Sequence, residues 1–332
     1  MSVDGSRQRL LVMPDDGGAA VVELIDQARE QLLIKQFKLE SPAVHEALHR
    51  AMGRGVQVRV MLNPHTSGGD RWNDAAYALL QGWGIAVQWT SESFPVTHEK
   101  SMVIDNASVL IATFNLSDKY FNETRDYGVV SHDPAVVEQV SVGFEADWHR
   151  QFFEPRLDVG LVWSSAHSRG QMAKVIDRAH KTLWIQHPKF VDAVILERVV
   201  AARARGVKVR LLCGGKHGLS DWDVYDTFSS LRIMEQVGVK IRRQKRPKLH
   251  AKLILIDGKA PGTISMNCST AGTTKPWVMP SSGIIRTSAA GSRSRSTTVV
   301  APTYPRPLTP RTFIVRCTDR SSVRFSLWPR PV

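Results

Sequence analysis

The chain has 332 residues, 42% of them hydrophobic, enough to bury one large core or two ordinary ones. Its formal charge of +13 points to polyanions, yet positions 258–332 hold 11 basic residues and a single acid, Asp319, which leaves only +3 on residues 1–257. Composition also argues against a disulfide-stapled or membrane-spanning protein: Cys213, Cys268 and Cys317 have no paired spacing, the start is no signal peptide, and no apolar run nears ~18 residues.

In chain order, residues 19–30 place apolar side chains at helical spacing, and LLIKQF after them reads as a strand. A helix at 41–55 and a strand at 56–62 follow. The same order returns as QMAKVIDRAHK, LWIQHPKF, DAVILERVVAARARG and VKVRLLC, with Ile25-Asp26 matching Ile176-Asp177 at an offset of 151 residues. Gly55 and Gly206 end the paired helices, where a left-handed residue is cheapest. Helix and strand in alternation predict two tandem, pseudo-symmetric α/β repeats with mixed, largely parallel sheets flanked by helices. The expected units are 1–155, a second repeat at 156–267 that is incomplete at its C-terminus, and a basic tail at 268–332.

Gly-rich loops, NPHTSGGD and GGKHGLSD, come next in each half. GGKHG lacks the spacing of a phosphate loop, and Asp221, Asp223 and Asp226 read as acids at a helix entry rather than a metal cluster. Short strands, GIAVQW and GVKIRR, then lead to the most informative stretches. Residues 97–115 read THEKSMVIDNASVLIATFN, and 249–267 read LHAKLILIDGKAPGTISMN. His98, Lys100, Asp105 and Asn115 match His250, Lys252, Asp257 and Asn267 at one offset of 152 residues. A single His-x-Lys-x4-Asp match has a chance expectation on the order of a few per cent in a chain this long, and two in register are far rarer. On a strand, residues two apart share a face, so each His and Lys point the same way, a pairing suited to an anion.

The doubled motif resembles the phospholipase D superfamily, and most of all its bacterial cardiolipin synthase and phospholipase D types. That family's pattern is His-x-Lys-x4-Asp-x6-Gly-Ser-x-Asn, twice, facing one site. Here the second part is altered: Ala112 and Thr113 stand for Gly and Ser in the first copy, and Ile264 stands for Gly before Ser265 in the second. The resemblance implies phosphodiester cleavage without a metal or other cofactor, with His98 as nucleophile, His250 as acid and base, and Lys100, Lys252, Asn115 and Asn267 on the phosphate oxygens. Thr113 and Ser265 could hydrogen-bond the site. An acid after the first copy is implied as a partner of a motif His; Asp126 fits first and Glu123 second. Asp105 and Asp257 open the turn after each motif strand, and either form that turn or orient a His or Lys.

The expected substrate is a glycerophospholipid or another phosphodiester, met in the cytoplasm or at the inner face of a membrane. Two rivals stand beside it: a nuclease of the same superfamily, which the near-neutral body disfavours, and an impaired remnant that only binds phosphate groups. The remnant reading rests on the missing glycines and on residues 258–318, which contain no Asp or Glu. At the acid frequency of the preceding chain such a run has a chance on the order of one in a thousand. That tail is expected to be disordered or read out of frame.

Overall fold

The computed structural model describes residues 8–66, 68–94, 96–163, 168–214 and 221–258, with the backbone alone at 221–224 and 226. The expected tail therefore lies outside the described residues, as do Ser265 and Asn267.

The first half runs β1 (Gln8–Met13), α1 (Ala19–Asp26), β2 (Gln31–Gln36), α2 (Pro42–Gly53), β3 (Gln57–Leu62), α3 (Asp74–Gly82), β4 (Ala86–Trp89), β5 (Lys100–Ile104), β6 (Ser108–Ala112), α4 (Asp118–Asn122), β7 (Thr124–Ser131) and α5 (Pro134–Trp148). The second runs α6 (Ser168–Asp177), β8 (Thr182–Gln186), α7 (Ala193–Ala204), β9 (Lys208–Cys213), α8 (Asp221–Gln236), β10 (Lys240–Arg243), β11 (Lys248–Leu249) and β12 (Leu253–Ile256).

The duplication inferred from sequence is visible in the sheets. One is ordered β1-β7-β6-β5-β2-β3-β4 and the other β10-β9-β8-β12. In each half three strands run parallel, β2, β3 and β4 or β8, β9 and β10, and the motif strand joins them antiparallel: β5 beside β2, β12 beside β8. Register agrees as well, since Leu32 pairs with Ile104 and Leu183 with Ile256. The sheets are mixed, as expected. β1 goes unannounced by the repeat: it closes the first sheet antiparallel to β7, from Gln8 opposite Ser131 to Met13 opposite Asp126.

Burial explains why the motif strands read as continuous apolar runs. All five residues of β5 are buried, because helices cover both faces of the sheet. Leu32, Ile34, Met102 and Ile104 pack with Val21, Leu24, Val44 and Leu48 of α1 and α2, whereas Leu33, Val103 and Val109 pack with Val136, Val140 and Phe144 of α5. The helices stop where the sequence says they should: Gly55 and Gly206 have φ of 86° and 89°. Asp192 caps α7 by accepting from the Ile195 amide at 3.0 Å.

Two groups of side chains lock the scaffold together. Beneath β5, Lys35 is 1% exposed and donates to Glu99 at 3.1 Å and Asp147 at 2.5 Å, so an ion cluster bolts β2 and the start of β5 to α5. Between the halves, Tyr127 and Val129 of β7 share a core with Leu212, Leu249, Ala251 and Leu253. β11 pairs parallel with β7, and the Tyr127 hydroxyl donates to Gln186 Oε1 at 2.9 Å. The second repeat is thereby joined to the end of β7 that β1 leaves uncovered.

Candidate active site

The register of β11 decides where His250 goes. Lys248 lies opposite Thr124 and Leu249 opposite Arg125, after which the His250 and Ala251 amides both donate to the Arg125 carbonyl, at 3.2 and 2.9 Å. His250 thus arrives beside Asp126, one residue further along β7. Its Nδ1 donates to Asp126 Oδ1 at 2.8 Å. The acid expected near the motif is found, and it serves the histidine of the opposite half.

Asp126 is fully buried and held from several sides. Thr113 Oγ1 donates to Oδ1 at 2.7 Å and Thr124 Oγ1 donates to Oδ2 at 2.6 Å. Burial alone would raise a carboxyl pKa; here His250, Lys252 and the Thr124 hydroxyl outweigh it and hold Asp126 below the usual carboxylate range. Thr113 also accepts from the Tyr127 amide at 2.9 Å. Its hydroxyl is therefore occupied in holding Asp126, and it hydrogen-bonds the site through that carboxylate.

Each lysine lies against its own histidine. Lys252 Nζ stands 3.1 Å from His250 Nε2, and Lys100 Nζ stands 3.3 Å from His98 Nδ1 and donates to the His98 carbonyl at 2.8 Å. The two pairs share one electrostatic environment. Burial comes first in lowering the His98 pKa well below its ordinary value, followed by the charges of Lys100, Lys252, His250 and Lys189. Burial and Lys252 lower His250 to about 4 in spite of Asp126. Lys100 falls well below the ordinary lysine value through burial and Lys252, and burial brings Lys252 to about 8. The site holds neutral imidazoles beside crowded ammonium groups, a cradle suited to an anion.

Aromatic rings set the imidazole planes. Phe37 packs on His98 with centroids 4.5 Å apart, and Tyr120 packs on His250 at 4.7 Å. Asn115 is 1% exposed and keeps a buried Oδ1 without a partner among the described residues. Phe37, Tyr120 and Lys189 were not singled out from sequence. Phe37 directly follows β2 and Lys189 lies three residues past β8, both in stretches aligned by the repeat, so their place could have been read from it; Tyr120 carried no comparable signal.

Other expected residues lie elsewhere. Asp105 accepts from the amides of Arg29, Glu30 and Gln31, and Asp257 from those of His180, Lys181 and Thr182. These amides open β2 and β8, at the far end of each motif strand from its His and Lys. Both aspartates have positive φ, 54° and 53°, a conformation Asp tolerates better than most residues. They fasten turns, the first of the two roles expected for them, and stand at the opposite end of each motif strand from its His and Lys. Glu123 forms an exposed pair with Lys248. Ala112, in place of the expected glycine, is 1% exposed in β6 opposite Gly128, so its methyl faces a partner without a side chain. Among the described residues no group of His, Cys, Asp or Glu could hold a metal ion.

Two His-x-Lys pairs, each leading into the motif strand of one half of a duplicated α/β fold, define the phospholipase D class. The sequence profile of the PLD-like domain of cardiolipin synthase matches residues 21–148 and 172–277, and the chain belongs to that family. A cardiolipin synthase from Clostridium perfringens is 26% identical over 205 residues, covering 51% of this chain and 42% of that protein. Cardiolipin synthase A from Pseudomonas aeruginosa is 25% identical over 301 residues, covering 79% of this chain and 60% of that protein. The chain thus spans about half the length of these relatives. Among solved structures, phosphatidylserine synthase from Haemophilus influenzae superposes with a TM-score of 0.59 at 14% identity, covering 77% of both chains. No described helix is long and apolar enough to cross a membrane.

Proposed function

We propose that the protein transfers or hydrolyses phosphatidyl groups of glycerophospholipids through a phosphohistidine on His98. The observation that carries this reading is the Asp126–His250 hydrogen bond beside a second, carboxylate-poor imidazole. The charges acting most strongly on His98 are all positive and favour its neutral, nucleophilic form. Asp126 favours a proton on His250.

In the first step a His98 ring nitrogen attacks phosphorus, the bond to the leaving alcohol breaks, and His250 gives that alkoxide its proton. In the second, His250 takes the proton of water or an acceptor alcohol, whose oxygen attacks phosphorus and releases His98. Lys100 and Lys252 hold the nonbridging oxygens as charge develops there, the part a metal ion would otherwise play. The substrate's own charge offsets these ammonium groups, so its arrival raises the proton affinity of His250 when a proton is needed. Asn115, with its unfilled acceptor, suits a hydroxyl of the substrate.

The test is a parallel assay of phosphatidylglycerol turnover in vesicles and of cleavage of single- and double-stranded DNA, each at low and moderate salt. Lipid turnover abolished by His98→Asn and His250→Asn is expected. DNA cleavage without lipid turnover would replace this reading with the nuclease, and neither activity in a folded protein would replace it with the phosphate-binding remnant.

A further inference from the structure

The two halves hold their motif histidines by different means. In the second, the residue before His250 is Leu249, whose backbone is fixed where β11 pairs with β7 opposite Arg125. In the first, the residue before His98 is Thr97, and residues 96–99 belong to no strand. A side chain does the holding there: the Thr97 amide donates to Asn63 Oδ1 at 2.8 Å. The offset of 151 residues that aligns Ile25-Asp26 with Ile176-Asp177 sets Gly214 in the place of Asn63. Gly214 has no such group to offer, and its backbone instead lies against the Leu249 carbonyl, 3.6 Å from where a Cβ would stand.

Asn63 directly follows β3 and is 3% exposed, with every polar group engaged. Its amide donates to the Gln36 carbonyl at 3.1 Å, its carbonyl accepts from Asn73 Nδ2 at 2.9 Å, and its Nδ2 donates to the His65 carbonyl at 2.7 Å. The carboxamide can point only one way, since turning it over would set its NH2 against the Thr97 amide and its oxygen against the His65 carbonyl. Asn73, itself buried, extends the same network: Nδ2 also donates to the Phe37 carbonyl at 2.9 Å, and Oδ1 accepts from the Leu39 amide at 3.0 Å. Phe37 is the residue whose ring packs on His98. The backbone before the imidazole and the ring beside it thus hang from one buried pair of carboxamides.

We propose that Asn63 is the positioning residue of His98: by holding the Thr97 amide it fixes the imidazole for attack on phosphorus, as Asp126 fixes His250, but without bringing a carboxylate to the nucleophile. This rests on the assignment of His98 as nucleophile under the proposed function. A carboxylate would raise the proton affinity of the ring it oriented, whereas a neutral carboxamide acting one residue away leaves the ring its lone pair. The effect belongs to the first step. Before attack the place of the ring depends on its backbone; once the His98–phosphorus bond exists, that bond holds the ring while His250 activates water or an alcohol.

The experiment is a single turnover, with the full chain in excess over phosphatidyl-p-nitrophenol: release of p-nitrophenolate times formation of the His98 adduct, and quenching at intervals times its loss. Asn63→Ala is expected to slow formation about 10–100-fold, the cost of a misplaced reacting group, while adduct loss stays within about twofold and the lipid concentration for half-saturation is unchanged. Asn63→Asp, which keeps an acceptor for the Thr97 amide, is expected to recover most of the rate. Asp192→Ala, which loses the α7 cap far from the His/Lys pairs in sequence, controls for destabilisation alone and should keep both rate constants. Less adduct formed at an unaltered rate constant, or equal slowing of both steps, would reduce Asn63 to a structural role and overturn the proposal. Proton–nitrogen NMR of the imidazoles supplies an arm without turnover. Displaced or broadened His98 signals in Asn63→Ala, with those of His250 unmoved, support the proposal; unmoved His98 signals overturn it. Absence of any adduct in the unaltered protein counts against the phosphohistidine reading alone, and the NMR comparison then decides the placement of His98 by itself.

Discussion

In the proposed reaction Asp126 gives two chemically identical imidazoles different work. Its bond to His250 fixes the proton of Nδ1 and leaves Nε2 facing Lys252, where a leaving oxygen can be protonated. Asp126→Asn keeps the shape and removes the charge. Turnover should fall on the order of 10²–10³-fold with little change in KM, the size of a general acid-base contribution, and a steady-state comparison on lipid vesicles checks it. The same residues make the fold sensitive to acid. His250 binds its proton at about 4 in the folded chain against 6.5 when unperturbed, so below pH 6.5 the unfolded chain takes up more protons. Stability from this group is complete above pH 6.5 and is lost as pH falls toward 4, on the order of 3 kcal/mol. Asp126 is shifted down as well, and its contribution is lost at still lower pH as the folded carboxyl takes its proton. Urea midpoints measured from pH 7 to 4 should fall for the unaltered protein and fall less for His250→Gln.

Elements repeat only as far as their surroundings repeat. The motif strands were legible because burial on both faces leaves a continuous apolar run, and because a second copy at fixed offset turned a weak His-x-Lys signal into a strong one. β1 was not legible: it lies outside the repeated order. β11 has two residues, too few for a periodic signal, yet its register with β7 places His250. Asp105 and Asp257 share the motif spacing of the site residues, and only their hydrogen bonds to strand-opening amides distinguish a turn fastener from a catalyst. The cluster under β5 was likewise invisible, since Lys35, Glu99 and Asp147 are scattered in sequence. Lys35→Met leaves two carboxylates facing each other without their cation. A loss of about 2–3 kcal/mol is expected, below the range for fully buried pairs because Glu99 and Asp147 are 25% and 32% exposed. Thermal unfolding checks it, and Lys35→Arg should recover part of the loss.

At the scale of the whole molecule, the internal duplication is what makes a site. Each half supplies a His and a Lys, and the seam formed by Tyr127, Val129, Leu249 and Leu253 sets the two pairs against one another. The charge of the chain conveys little of this, because most of the excess lies at 258–332 and the body that carries the site is nearly balanced. The proposed steps rest on the positions of the two imidazoles relative to Asp126 and the lysines. The most direct test is rapid quenching of the His250→Asn protein with phosphorus-labelled phosphatidyl-p-nitrophenol, whose leaving group departs without the proton His250 would supply, followed by peptide mapping under alkaline conditions. A phosphoryl-lipid adduct on His98 that accumulates in this variant, and is absent from His98→Asn, is the predicted result. An adduct on another residue, or lipid turnover by the unaltered protein with no adduct on any histidine, would contradict the account.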